Sequence, residues 1–208
     1  MTPLVLAIDT TREHGSIALA RGSETIAERP VRSPDGFAHV IHERIENLLR
    51  ECGIALRDID LFAAASGPGS FTGVRVGLAC VKGLAEAAGK RAAGISNLRA
   101  VASFGTAEFR APVLDAHRGQ VYGAVYDPAG GIVQRECVGK FDGWVASLPS
   151  GAEILSPEYV SDRVQIVRTP RELAAAIARI APLEAADPAA LDANYVRRSD
   201  AELFWKEP

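Results

Sequence analysis

The stretch Val5-Leu6-Ala7-Ile8-Asp9 leads through a short polar loop containing Arg12 into Gly15-Ser16-Ile17-Ala18-Leu19. In the same way, Ala111-Pro112-Val113-Leu114-Asp115 leads through a loop containing Arg118 into Gly119-Gln120-Val121-Tyr122-Gly123-Ala124-Val125. Each first run is short, apolar and ended by a carboxylate, as expected of a strand covered on both faces. Each pair then meets a glycine turn, Arg21-Gly22-Ser23-Glu24 or Asp127-Pro128-Ala129-Gly130-Gly131, and a third strand. A strand ending in Asp, a polar loop, a second strand, a turn and a third strand thus occur twice, with Asp9 and Asp115 at corresponding places. Self-similarity of this kind reads as internal duplication.

Outward from these strands, a helix is predicted after Ser33-Pro34-Asp35-Gly36, with Asp35 as N-cap. Its apolar residues Phe37, Val40, Ile41, Ile45, Leu48, Leu49 and Cys52 keep three-to-four spacing, and Gly53 suits the position just past its end. A buried strand over 61–65 is followed by the loop Ser66-Gly67-Pro68-Gly69-Ser70-Phe71-Thr72 and a helix over 73–88. A strand over 92–95 and a short helix over 97–104 complete the first half. In the second half, short strands are expected over 153–155 and 165–167. A helix over 170–180 would have Thr169 as N-cap and Pro170 at its first position. The tail beyond Pro182 reads as irregular as far as Tyr195.

Composition narrows the class. The 208 residues are 48% hydrophobic and 24% charged, which excludes a disordered or fibrous chain. A net charge of −3 argues against a self-sufficient nucleic-acid binder, because neutralising phosphates supplies most of such a domain's affinity. Cys52, Cys80 and Cys137 are odd in number and lie outside any C-x-x-C pair, so they read as apolar side chains in a reducing compartment. The apolar stretch 73–88 carries Arg75, Lys82 and Glu86, which is costly in lipid. No membrane span is expected, and the N-terminus shows no basic region or cleavage site, so the expected location is cytoplasmic.

Several chemistries fail on spacing. The glycine loop continues Gly73-Val74-Arg75, so no P-loop lysine is present, and Ser70 lacks the flanking glycines of a nucleophile elbow. His39 and His42 lack a third ligand at matching spacing and are read as solvent-facing; no metal site is expected. Asp9 and Asp115 have two readings. They could hold Mg²⁺ or water beside a nucleotide phosphate, or each could cap its own turn. Gly67, Gly69, Ser70, Thr72 and Gly73 precede a helix N-terminus, a natural anion or nucleotide contact. The plain alternative is a tight connection with Ser70 or Thr72 as N-cap. Gly69, Gly73 and Gly77 recur every four residues, continued by Ala79, Gly83 and Ala87. Glycine within a helix costs about 1 kcal/mol against alanine, so the stripe needs a close-packed backbone, from this chain's own sheet or from a second protein.

The segments 5–11 and 67–79, Leu114-Asp115-Ala116-His117-Arg118 and Tyr195-Val196-Arg197-Arg198 together resemble the bacterial TsaB (YeaZ) family, nearly end to end. The resemblance implies an actin-like (ASKHA, ribonuclease H-like) α/β fold with two related lobes, 1–107 and a shortened 108–208, whose last residues pack back on the first. It implies a non-catalytic role in forming N6-threonylcarbamoyladenosine next to the anticodon of tRNAs that read codons beginning with A. The expected partners are a TsaD-like catalytic subunit that carries the metal, a TsaE-like ATPase, a second copy of the chain, and tRNA through the complex. No cofactor of its own is expected, and ATP with Mg²⁺ only in the assembly.

The expected interface comprises Val40, Ile41, Arg44 and Leu48 from the first helix, and Val74, Arg75, Leu78 and Lys82 from the glycine-striped one. The alternative for the aliphatic members is core. Asp9, Asp115 and Arg118 are the candidate nucleotide or substrate contacts. Rival readings are a small-molecule kinase or ATPase on the same fold and a glycoprotease-like (M22-type) peptidase. The first lacks a glycine-bearing phosphate loop after Asp9. The second lacks a nucleophile with an adjacent base or an H-E-x-x-H zinc site.

Overall fold

The computed structural model describes residues 2–197; Arg198 of the last quoted motif and the end of the second lobe lie outside the described residues. Two five-stranded sheets carry the chain. The first contains β1 (Leu4–Asp9), β2 (His14–Arg21), β3 (Glu24–Arg32), β4 (Leu61–Gly67) and β5 (Arg91–Ser96), in the order β3-β2-β1-β4-β5. The second contains β6 (Arg110–Asp115), β7 (Gln120–Tyr126), β8 (Ile132–Lys140), β9 (Glu153–Ser156) and β10 (Val167–Arg168), in the order β8-β7-β6-β9-β10. In each, the first strand pairs antiparallel with the second and parallel with the fourth. The duplication is therefore present in topology as well as in sequence. This is the actin-like arrangement of two related lobes, with β9 and β10 much shorter than β4 and β5.

The helices form layers around the sheets. On the outer face of the first sheet, α1 (Ile41–Cys52) and α2 (Phe71–Ala88) bury Ile41, Ile45, Leu48, Val74, Leu78 and Val81 against Leu6, Ile8, Leu19 and Phe62. Full burial of such a side chain is worth roughly 1.5–3 kcal/mol. Between the sheets lie α3 (Asn97–Ala102) and α5 (Ala174–Ile180), sharing one core with Val5, Ala18, Ala63, Leu114 and Tyr126. The helix that closes each lobe covers the other lobe's sheet: α3 packs on β6 and β7, and α5 on β1 and β2. Beyond the second sheet, α4 (Phe141–Ala146) places Trp144 against Val113, Val121 and Val125.

Three local expectations are corrected. The first long helix begins at Ile41 after a 3-10 turn over Phe37–His39, and Asp35 does not cap it. Ser33 instead closes a turn, its Oγ donating to the Gly36 carbonyl at 2.6 Å, and this holds the chain out of helical geometry. The last helix begins at Ala174, without capping by Thr169, because residues 171–173 are spent reaching the first sheet. There the Ser16 hydroxyl and the Glu28 carboxylate accept the otherwise orphaned Ala174 and Ala175 N–H groups. The tenth strand lies at Val167–Arg168, two residues later than its pattern suggests. Gly53 adopts φ +66° and ends α1 with N–H bonds to Arg50 and, from Ile54, to Leu49, as expected of a left-handed helix stop.

Candidate functional site

The two Asp loops face the groove between the lobes and have the same internal wiring. Thr11 N–H donates to Asp9 Oδ1 at 2.9 Å, and His117 N–H donates to Asp115 Oδ1 at 2.8 Å. Each Asp therefore caps its own turn, the second of its two readings. Their surroundings then diverge. Asp9 is fully buried, and its Oδ1 also accepts from Thr11 Oγ1 at 2.6 Å while Arg12 Nη2 stands 3.3 Å from Oδ2. Asn97 Nδ2 donates in turn to Thr11 Oγ1. A carboxylate so engaged, with a guanidinium already beside it, has little charge to offer a cation. Asp115 is half exposed and has His117 Nδ1 at 3.4 Å.

Arg12 ties the lobes together. The same Nη2 donates to the Arg171 carbonyl at 2.7 Å, and Nη1 lies 3.9 Å from Glu158. His14, next along the wall, is flanked by Arg32 and Arg171, both within hydrogen-bond distance of its ring. The groove has a volume of about 710 Å³, and Asp115, Tyr122 and Tyr159 line its other side. Among the described residues there is no group of three or more His, Cys, Asp or Glu side chains placed to hold a metal ion.

The glycine loop is clamped onto the first Asp loop. Ser70 N–H donates to the Thr11 carbonyl at 2.7 Å, and Thr10 Oγ1 donates to the Gly73 carbonyl at 2.7 Å. A Cβ on Gly69 would stand 2.6 Å from the Thr11 oxygen, and one on Gly77 2.6 Å from Thr10 Oγ1; Gly73 is closer still. The close-packed backbone demanded by the stripe is therefore the chain's own β1–β2 loop, as far as Gly77. Ser70 is the N-cap, accepting from Gly73 N–H at 3.3 Å, and Thr72 is exposed. Gly67 carries φ +108° and precedes Pro68 in a cis peptide.

Of the eight expected interface residues, Ile41, Leu48, Val74 and Leu78 are core, exposed by 6% or less, because their face of each helix covers the first sheet. Leu48, Val74 and Leu78 thus face the core, as their alternative reading had it, whereas Ile41 is buried but also lines the groove between the two helices. Arg44 and Arg75 are exposed, and Val40 and Lys82 half-buried. Between the two helices runs an apolar groove of about 560 Å³, lined by Ala38, His42, Val76, Ala79, Gly83 and Leu84. A Cβ on Gly83 would meet nothing within 4 Å. The small-residue stripe thus has two halves, one facing the chain itself and one facing solvent.

Sequence reasoning passed over two groups. One is the outer end of the glycine loop with the tail. Asn194 N–H donates to the Ser66 carbonyl at 2.7 Å, Tyr195 stacks on Phe71 at 5.3 Å, and Arg75 lies over Phe71 at 3.8 Å while its Nε donates to Tyr195 OH. Phe71, Arg75 and Tyr195 stood inside the quoted motifs, but nothing local joins positions 120 residues apart. The other is Glu136 on β8, which accepts from Tyr126 OH and Asn194 Nδ2, each at 2.6 Å, and from Ser96 Oγ. Burial, with the Glu136 charge beside it, raises the Tyr126 phenol far above its usual range. Arg118 adopts φ +55°, beside His117 at φ +58°.

A family model described as "TsaD: tRNA N6-adenosine threonylcarbamoyltransferase" matches residues 29–184. The tRNA threonylcarbamoyladenosine biosynthesis protein TsaB of Bacillus subtilis (strain 168) is 33% identical over 133 residues, 63% of this chain and 58% of that protein. The TsaB of Escherichia coli (strain K12) is 33% identical over 165 residues, 77% and 66% of the two. The chain thus spans 58% to 66% of the length of these two curated relatives. A solved structure titled "YeaZ from Pseudomonas aeruginosa" superposes with a TM-score of 0.74 at 22% identity, covering 93% of this chain and 99% of that one. Another, titled as an uncharacterized protein with similarity to peptidase YEAZ from the same organism, gives 0.78 at 23% identity, covering 94% and 100%. At these identities the two superpositions speak to the fold alone.

Proposed function

The chain belongs to the TsaD family, and within it to the TsaB (YeaZ) branch. From that premise we propose that it is an accessory subunit in the formation of N6-threonylcarbamoyladenosine next to the anticodon of tRNAs reading A-starting codons. The observation that carries the subunit role is the groove between α1 and α2, a mostly apolar surface with the small residues Ala38, Ala79 and Gly83 in its lining. Small residues let a partner helix approach closely, and an apolar lining is what the core of such a contact needs. The occupant is a TsaD-like catalytic subunit, or a second copy of this chain when that subunit is absent. The metal and the transfer chemistry reside in the TsaD-like partner, and a TsaE-like ATPase joins the assembly. ATP with Mg²⁺ is held only there, in the cytoplasm, and tRNA is met through the complex. The state of Asp9 supports this division of labour, since its charge is already compensated by Arg12.

The experiment is modification of tRNA from threonine, bicarbonate and ATP by the source's other pathway proteins, with this chain present or omitted. Loss of modification on omission is expected. Ala79→Glu, which puts a charge in the groove without touching the core, should reproduce that loss at unchanged melting temperature. Undiminished modification without the chain would refute the assignment. Stabilisation of the chain alone by Mg-ATP would favour the kinase reading instead.

A further inference from the structure

Where the glycine loop, the β6–β7 loop and the tail converge, a pocket of about 240 Å³ opens beside the inter-lobe groove, and the accessory role makes no use of it. Three aromatic rings line it, Phe71, Tyr122 and Tyr195, together with His117, Arg118 and Arg197. Among the described residues that line it there is no Asp or Glu, although the chain as a whole is acidic. Tyr122 is partly buried against the core, but Phe71 and Tyr195 are not buried for packing, being 44% and 46% exposed. They are already arranged as a stack, with the Arg75 guanidinium on Phe71 and Phe71 against Tyr195 at an interplanar angle of 26°. Arg197 lies over the Tyr122 ring at 5.8 Å and donates to Gln120, so the tail's last described residue reaches the second lobe.

Flat π-faces at the water boundary, alternating with guanidinium groups, suit one class of ligand: a planar base joined to a phosphate. Unpaired bases are held by stacking on aromatic rings and arginine planes, with cations along the backbone. We propose that this pocket receives a single unpaired nucleotide, its base on the Phe71–Tyr195 stack and its phosphate beside Arg118 and Arg197. The proposal rests on the tRNA reading above for its natural source, an unpaired segment of RNA. A free nucleotide presents the same chemistry. The pocket's volume of about 240 Å³ matches one unpaired base, so single-stranded RNA should bind in preference to duplex. The small overall charge then ceases to conflict with RNA contact, because one stacked base with one or two phosphates needs only a local excess of cations.

The test titrates the whole chain, alone and with its TsaD-like partner, with a labelled single-stranded hexaribonucleotide, with adenosine 5′-monophosphate, and with an RNA duplex. The hexamer should saturate and the duplex should not. Tyr195→Ala should weaken binding roughly 5- to 150-fold, the worth of one stacked base. Tyr195→Phe, which keeps the ring and loses only the bond from Arg75, should bind like the parent. Arg197→Gln should weaken binding and flatten its salt dependence; since it leaves the Phe71–Tyr195 stack in place, it decides the matter if Tyr195→Ala loosens the tail.

Monophosphate binding with the same variant pattern supports a nucleotide pocket open to the free ligand. Hexamer binding without monophosphate binding supports recognition within RNA. The proposal is overturned if neither saturates, if the duplex competes equally, or if Tyr195→Ala and Arg197→Gln leave affinity unchanged. Modification assays on the same preparations separate the two ideas. Modification that still requires the chain while these variants change nothing removes the pocket and leaves the accessory role standing.

Discussion

Two glycines on one helix should respond in opposite ways to the same substitution. At Gly73 an added Cβ would overlap the Thr10 carbonyl oxygen and stand 3.0 Å from Thr10 C and 3.2 Å from Thr11 Cα. The obstacles are backbone, so the β1–β2 loop and α2 must part. Forced overpacking of this kind costs roughly 1–3 kcal/mol. The Thr10 Oγ1 bond to the Gly73 carbonyl, worth about 1 kcal/mol, is strained or lost with it. Against this, alanine gains about 1 kcal/mol of helix propensity. Gly73→Ala should therefore lower stability by about 2 kcal/mol, or roughly 4–8 °C in melting temperature for a chain of this size. At Gly83 the same methyl meets nothing within 4 Å, leaving only the propensity gain. Gly83→Ala should raise stability by about 0.5–1 kcal/mol, or roughly 1–4 °C. Urea or thermal unfolding of the isolated chain reads both. A neutral or stabilising Gly73→Ala would refute the clamp between the glycine loop and the first Asp loop. A destabilising Gly83→Ala would refute the solvent-facing assignment of the stripe's second half.

Other consequences are equally direct. Arg12→Ala leaves the buried Asp9 carboxylate with only its Thr11 donors; urea unfolding should show a loss of about 3 kcal/mol, the low end for stripping one partner from a buried pair. Burial raises the Glu28 carboxyl above its ordinary value near 4.5, outweighing the Ala175 N–H bond that opposes it. A raised carboxyl binds its proton more tightly in the folded state, so stability is highest below that value and falls as pH rises from it towards the folded one. Glu28→Gln keeps the acceptor for Ala175 and should flatten that fall, matching the parent at low pH and gaining on it above; identical pH profiles would refute the assignment. Burial raises both thiols, Cys80 to about 11, but Cys137 on β8 is exposed and Cys80 is buried. A thiol reagent at pH 8 should modify Cys137 in the folded chain and reach Cys80 only on unfolding, as mass spectrometry of the labelled peptides would show.

The duplication, both sets of three strands, the helix spacings and the glycine stripe were legible in the sequence because each depends on neighbours within a few residues. An apolar run ending in Asp becomes a covered strand wherever it lies, and a glycine every fourth residue requires something close to the helix. Which backbone came close was not legible, because Thr10 and Gly73 are 63 positions apart and only the β1–β4 pairing brings them together. Helix starts failed for the same reason. Asp35 and Thr169 have the chemistry of caps, but the turn at Ser33 and the distant acceptors Ser16 and Glu28 decided where α1 and α5 begin.

Half of the expected interface went inward because helical spacing identifies an apolar face without saying whether a sheet or a partner covers it. Asp9 and Asp115 are alike in sequence and in their turns, yet one is buried under Arg12 and the other is open to the groove. Local sequence determined the elements of this protein and their repetition. The choice of which charges are neutralised, which glycines are crowded and which aromatic rings meet across the chain belonged to tertiary structure, because those interactions act through space between residues that the sequence holds far apart.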